Sequence, residues 1–450
     1  SDWGSIEQMI PHGFARDGEH AAELAVVAGS DMDMESSLYV SQLVGLVKSG
    51  KVDINLIDDA VKRILRVKYE LGLFDDPYRY CNNERSIQEL GSDQNMQVAL
   101  DAAKKSIVLL KNNNNLLPLE KDGEKIALIG PLVDDKNSPL GNWRSQAVYN
   151  SATSVLEGMN KYKGNRTIFE KGVELYYGKT NFHNRVKLNY NDRSEFGKAK
   201  LAAATSDVVV MVMGEEGNQS GEGRSRTNIG LPGLQLELLK EIYKINQNIV
   251  LVVMSGRPLD LSWADKNIPS ILQAWHLGSK SGDAIAQVLY GDYNPSGKLT
   301  MSFPRNVGQV PIYYNFKNTG RPSTSIEQVT NSGYADVVNS PLYPFGHGLS
   351  YTNFKYSNLT IDSSELDYNS KINISVKIEN TGFITGKEVA QLYIRDIVGS
   401  IARPMKELKG FEMIELAPGE SKVVNFKIDS SLLEFYTYEN KWEAEVGKFH

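Results

Sequence analysis

Asp207-Val208-Val209-Val210-Met211-Val212-Met213-Gly214 is the stretch whose reading decides the fold. An unbroken apolar run rich in β-branched valine and closed by glycine predicts a strand buried on both faces. The same pattern recurs at Asn248-Ile249-Val250-Leu251-Val252-Val253-Met254-Ser255-Gly256 and at Ser270-Ile271-Leu272-Gln273-Ala274-Trp275. Upstream it occurs at Ser106-Ile107-Val108-Leu109-Leu110-Lys111 and at Lys125-Ile126-Ala127-Leu128-Ile129-Gly130-Pro131. Helical patterns near 196–204, 234–245 and 283–289 fall between the later strands. Buried strands alternating with helices imply a mainly parallel sheet covered on both faces, here an α/β sandwich over 105–305.

The flanks have other rhythms. Residues 19–29 carry a short helical pattern that stops at Gly29, and Ser30-Asp31-Met32-Asp33-Met34 alternates as a strand would. Two further helical patterns run through Leu38, Leu43, Leu46 and Val47, then through Ile54, Val61, Leu65 and Leu71. A (β/α)8 barrel needs about 250 residues. Only the last βα units of such a barrel fit into 1–80, which predicts a chain cut from a longer one. A linker and lead-in helix occupy 81–104, and a connecting segment rich in Pro, Tyr, Asn and Gly occupies 306–350. From Tyr351 the period becomes two: Lys371-Ile372-Asn373-Ile374-Ser375-Val376-Lys377-Ile378 alternates strictly, and 389–394 and 423–428 follow less cleanly. Turn signals at Asn380-Thr381-Gly382 and Ala417-Pro418-Gly419 separate these runs, as in an immunoglobulin-like sandwich over 351–450. A further strand opens at Lys448-Phe449-His450, so truncation is expected at this end as well.

Composition narrows the function. The 450 residues are 41% hydrophobic with a formal net charge of −6, and no basic block suggests nucleic acid or an anionic membrane surface. No apolar run is long enough for a transmembrane span. The one cysteine, Cys81, excludes an intramolecular disulfide framework. Small neutral substrates remain.

Two places carry candidate chemistry. The first is the opening Ser1-Asp2-Trp3-Gly4. The second is Gly214-Glu215-Glu216-Gly217-Asn218-Gln219-Ser220-Gly221-Glu222-Gly223-Arg224-Ser225-Arg226, a charged, glycine-rich loop after a parallel strand, where open α/β sheets bind ligands. It fits neither phosphate-binding motif, and a solvated surface turn is its plainer reading. Asp31, Asp33 and Glu35 share a side of a short extended stretch, but Met32, Met34 and the lack of a central glycine argue against a calcium loop. The six histidines show no zinc spacing; His12 and His276 read as hydrogen-bonded structural residues, and His347 as an anchor for the connecting segment. No metal or cofactor is called for.

Five strings in order carry a resemblance. Ser1-Asp2-Trp3-Gly4, Ala28-Gly29-Ser30-Asp31-Met32-Asp33-Met34, Ser220-Gly221-Glu222-Gly223-Arg224-Ser225-Arg226 with Leu231-Pro232-Gly233, Gly291-Asp292-Tyr293-Asn294-Pro295-Ser296-Gly297-Lys298-Leu299, and Tyr343-Pro344-Phe345-Gly346-His347-Gly348 span essentially the whole chain. Together they resemble the multidomain β-glucosidases of glycoside hydrolase family 3, of the bacterial periplasmic type. The resemblance implies a barrel, an α/β sandwich and a fibronectin-type-III-like domain, with the active site shared by the first two. It implies retaining, exo-acting hydrolysis of terminal β-D-glucose from β-glucosides or oligosaccharides, in the periplasm or outside the cell. A β-xylosidase or arabinosidase of the same family stays open, as does a noncatalytic carbohydrate-associated scaffold for the chain as it stands. Oligomeric state is open, a homodimer being one option.

By the same resemblance Asp2 is the nucleophile and Glu222 the general acid/base, with Glu215 and Glu216 as alternatives for the second role. A retaining glycosidase needs one carboxylate that stays ionised and one that holds a proton near neutral pH. A guanidinium close to Glu222 would oppose that proton, so Arg224 and Arg226 are expected to point away or to serve structure. Trp3 is either a wall for a sugar face or a packed tryptophan.

Overall fold

The computed structural model describes residues 1–144, 146–323 and 325–450. Among them, no helix is long and apolar enough to cross a membrane. They form two compact units, Ser1–Ser92 and Asp93–His450.

In Ser1–Ser92 the described residues form helices and no strand: α1 (Ser5–Gln8), α2 (Gly18–Val27), α3 (Leu38–Lys48), α4 (Ile54–Glu70) and α5 (Asn83–Glu89). Asp17 starts α2 by accepting the His20 amide, as a side-chain cap should, and Asp53 does the same for α4. Alanines at 21, 22 and 25 give α2 a thin inner face, so Ile6 packs on one side of it and Leu46 and Val52 on the other. The strand expected at Ser30–Met34 is extended but pairs only sparsely. The Ser1 nitrogen donates to the Met32 carbonyl at 2.9 Å, the Met34 amide to Ser1 Oγ at 2.9 Å, and the Gly4 amide to the Met34 carbonyl at 2.9 Å. Those contacts lay the chain start beside 32–34 without building a repeating ladder.

The second unit begins with α6 (Asp93–Ser106) and β1 (Val108–Asn112). The sheet continues with β2 (Asp122–Ile129) and β3 (Gly164–Glu170); a small hairpin, β4 (Tyr176–Tyr177) and β5 (Lys187–Leu188), precedes β6 (Val208–Gly214), β7 (Ile249–Met254) and β8 (Ser270–Gln273). Interleaved are α7 (Val155–Met159), α8 (Phe196–Ala204), α9 (Gln235–Tyr243), α10 (Ser262–Asn267) and α11 (Ser281–Leu289). Strand order is β1-β8-β7-β6-β2-β3, parallel except for β1, which runs antiparallel on the edge.

The period of two explains the two-faced burial. Val209, Met211 and Met213 face α8 and α9 through Ala199, Leu238 and Ile242, whereas Val208, Val210 and Val212 face Met159, Ile285 and Val288. Each such side chain contributes about 1.5–3 kcal/mol relative to exposure. From β2 the chain moves outward to β3 and then crosses back to β6. The strand order therefore reverses between β2 and β6, where open sheets form a crevice beyond their C-terminal ends.

The third region holds β9 (Phe354–Ile361), β10 (Lys371–Asn380), β11 (Gly386–Ile394), β12 (Glu407–Leu416) and β13 (Ser421–Asp429), then α12 (Ser430–Leu433), β14 (Phe435–Tyr436) and β15 (Trp442–Glu443). Sheets β13-β10-β9 and β11-β12 enclose Ile378, Ala390, Leu416 and Val424, a fibronectin-type-III-like arrangement. The connecting segment is irregular and is held down on the α/β sheet. Leu349 bridges Leu109, and the His347 ring meets the Leu110 carbonyl at 2.9 Å, the anchoring role expected of it.

Candidate active site

Strand β6 delivers the charged loop. At its end Gly214 has φ 141°, and a Cβ there would lie 1.7 Å from the Met254 carbonyl oxygen of β7, so glycine is required for the two strands to stay paired where the loop departs. The Glu215 amide still donates to that carbonyl at 2.8 Å.

The three glutamates of the loop have three different fates. Glu215 is fully buried and accepts from Arg226 Nη1 at 2.7 Å and from Arg257 Nε at 3.0 Å. Two guanidiniums on one buried carboxylate leave it fully occupied. Glu216, 2% exposed, turns the other way: it accepts from Thr180 Oγ1 at 2.8 Å, Asn218 Nδ2 at 2.9 Å and the Asn218 amide at 2.7 Å, capping a short turn. Burial pushes its carboxyl pKa up in spite of these donors. Glu222 is exposed and, among the described residues, makes no hydrogen bond or ion pair.

The arginines behave as expected of structural groups. Arg224 gives its Nε to the Asn218 carbonyl at 2.9 Å and its Nη2 to the Phe182 carbonyl, with its guanidinium 5.8 Å from the Phe182 ring centre. Arg226 Nη2 holds the Gly230 carbonyl at 3.0 Å. Arg257, which sequence reasoning missed, reaches in from the end of β7: its Nη2 donates to the carbonyls of Gln219 at 2.5 Å and Arg224 at 2.8 Å. The signal for it was its place just past the C-terminal end of a predicted parallel strand beside the loop-bearing one.

Two neighbours complete the loop's seat. Gly221, immediately before Glu222, has φ 114°, and a Cβ there would lie 2.4 Å from Asn142 Oδ1. The His276 ring stands with Nε2 3.4 Å from the Glu215 carbonyl, and burial lowers its pKa, so the ring is neutral and Nε2 serves as donor. His276 is thus structural, as expected, while His12 is simply exposed.

In the first unit, Asp2 is exposed, and its Oδ1 accepts the Trp3 amide at 2.7 Å. Trp3 is 65% exposed. Asp31 meets Arg63 in a forked pair, at 2.8 and 2.9 Å from Nε, and that hydrogen-bonded guanidinium lowers the Asp31 pKa. Asp33 accepts the amides of Leu38 at 2.7 Å and Tyr39 at 3.2 Å, together with Ser36 Oγ at 2.5 Å. Both aspartates therefore serve structure.

Of the carboxylates in the two candidate motifs, Asp2 accepts only the Trp3 amide and Glu222 is exposed with no partner among the described residues, whereas Glu215 and Glu216 are taken up. Comparison with known proteins bears on what such groups serve. The family profile "Glycosyl hydrolase family 3 C-terminal domain" matches residues 107–351, and "Fibronectin type III-like domain" matches residues 388–450. A periplasmic beta-glucosidase of Salmonella typhimurium is 42% identical over 463 residues, covering 100% of this chain and 60% of its own length. A beta-xylosidase of Formosa agariphila is 37% identical, covering 100% of this chain and 61% of its own length. The crystal structure of a beta-glucosidase from Listeria innocua in complex with isofagomine superposes with a TM-score of 0.90 at 36% identity, covering 99% of this chain and 60% of that one. The chain thus spans about 60% of the length of the relatives it matches. With its α/β sheet and fibronectin-type-III-like domain both matched, the chain belongs to glycoside hydrolase family 3.

Proposed function

We propose that the protein carrying this chain is a retaining, exo-acting β-glucosidase that releases terminal non-reducing β-D-glucose from β-glucosides or oligosaccharides. Asp2 is the nucleophile, and Glu222 the general acid/base. An Asp2 oxygen attacks the anomeric carbon as Glu222 passes its proton to the departing glycosidic oxygen, which leaves a covalent glycosyl-enzyme and a Glu222 carboxylate. That carboxylate then takes a proton from water, whose oxygen attacks the anomeric carbon and frees Asp2. Trp3 supplies an apolar wall for a pyranose face. In this reading residues 1–80 belong to the closing part of a (β/α)8 barrel.

The observation that carries the acid/base role is the division of labour in the loop after β6. Glu215 is committed to Arg226 and Arg257 and Glu216 to three donors, which leaves Glu222 free to exchange a proton. The name of the Salmonella relative supports glucose as the released sugar and a periplasmic or extracellular location. That of the Formosa relative favours a second reading, hydrolysis of β-xylosides.

The test is hydrolysis of p-nitrophenyl β-D-glucopyranoside and its xylo and arabino analogues by the full-length protein. Preference for the gluco substrate is expected. A dominant xylo or arabino activity would replace the sugar assignment, and binding without hydrolysis of any of the three would favour a noncatalytic carbohydrate-associated role.

A further inference from the structure

Glu215 is fully buried between two guanidiniums, an expensive arrangement that packing alone does not need. Its two arginines come from opposite sides of the Glu222 loop. Arg226 closes the loop's C-terminal end and ties Gly230 through its second nitrogen. Arg257 comes from beyond β7 and spends its remaining nitrogen on the carbonyls of Gln219 and Arg224, which bracket Ser220-Gly221-Glu222-Gly223. The backbone of Glu215 is itself fixed, its amide by the Met254 carbonyl and its own carbonyl by the His276 ring. A rigid strand end, a buried carboxylate and two forks therefore define where the segment carrying Glu222 begins and ends.

We propose that Glu215 is a positioning residue for Glu222: through Arg226 and Arg257 it holds both sides of the loop on which Glu222 stands. This role rests on Glu222 being the acid/base. It also keeps both guanidiniums paired with Glu215 and away from the proton-carrying group. Arg257, anchored on the neighbouring strand, is the cross-brace of the arrangement.

A positioning role differs from a merely structural one in which substrates suffer. Loosening the loop harms reactions that need protonation of a poor leaving group and spares those that do not. Glu215→Gln in the full-length protein is expected to lower kcat/KM on cellobiose by about 10- to 100-fold, mainly through kcat, and to change p-nitrophenyl glucoside glycosylation by less than about threefold. In a Glu222→Ala background the same substitution should change phenyl glucoside turnover by less than about twofold, since the group it positions is gone. If Glu215→Gln does not fold, Arg257→Lys serves the same comparison. It keeps a cation beside Glu215 but cannot reach both loop carbonyls. Equal losses on both substrates, or full additivity with Glu222→Ala, would overturn the positioning role and leave the acid/base assignment standing. A Glu222→Ala variant without leaving-group dependence would overturn both.

Discussion

Gly221→Ala tests whether the loop is held as tightly as its contacts imply. The added Cβ would sit 2.4 Å from Asn142 Oδ1 and 2.8 Å from Asn142 Cγ, about 1 Å short of an ordinary contact to the oxygen. It would also have to adopt φ 114°, which side-chain-bearing residues avoid. Backbone strain of about 1–3 kcal/mol and overpacking of about 1–3 kcal/mol give a local penalty of roughly 2–6 kcal/mol. Because the loop's tip at 221–223 is exposed, the penalty should appear as local opening and not as global unfolding. The assay is hydrogen exchange of 215–224 with cellobiose hydrolysis alongside. A 2 kcal/mol penalty corresponds to about 30-fold loss of protection at the Gln219 amide, which donates to the Glu216 carbonyl at 2.8 Å. A shift of about 1 Å at Glu222 should cost roughly 100-fold in cellobiose turnover. Adding Asn142→Ala removes the two closest atoms and should recover the packing part but not the backbone part. Unchanged protection and turnover in Gly221→Ala would refute the account of the loop as a braced segment.

Asp2→Ala should lower turnover by roughly 10⁴-fold or more in the full-length protein, whereas Glu222→Ala should hurt cellobiose far more than p-nitrophenyl glucoside, with azide restoring part of the loss; steady-state kinetics separates the two. His276 has its pKa held below the ordinary 6.5 by burial, so the unfolded chain takes up a proton before the folded one does. Stability is therefore full above about pH 6.5 and falls as pH drops toward the folded value. Denaturant titrations between about pH 5 and 8 should show this slope and lose it in His276→Gln. Leu128→Ala, at a fully buried position of β2, should cost about 2–5 kcal/mol, while Val423→Ala, at an exposed position of β13, should stay within about 0.5 kcal/mol by chemical denaturation.

Legibility followed burial. The central strands β6 and β7 are wholly apolar, so their runs could be read residue by residue, and the helical patterns at 196–204 and 283–289 followed from their period. Edge strand β3, Gly-Asn-Arg-Thr-Ile-Phe-Glu, escaped notice because its outer half faces solvent and carries no apolar run. Strands β9 and β12 were missed for the same reason, their exposed positions diluting the alternation. Ser30–Met34 has the alternation of a strand but bonds to Ser1 and Gly4 at only three points, and alternation reports a face and not a partner. In the loop, sequence alone could rank Glu222 above Glu215 and Glu216 only by resemblance. Their physical separation depends on Arg257 and Thr180, each about 40 residues away in the chain and brought near only by the order of the sheet.

The central claim is a covalent mechanism through Asp2. A fluorinated glucosyl fluoride that slows hydrolysis of the glycosyl-enzyme should inactivate the full-length protein stoichiometrically, and peptide mass mapping should place the sugar on Asp2. Label on a different carboxylate, or rapid turnover of the other half of a good substrate with no covalent adduct and an inverted product, would contradict it.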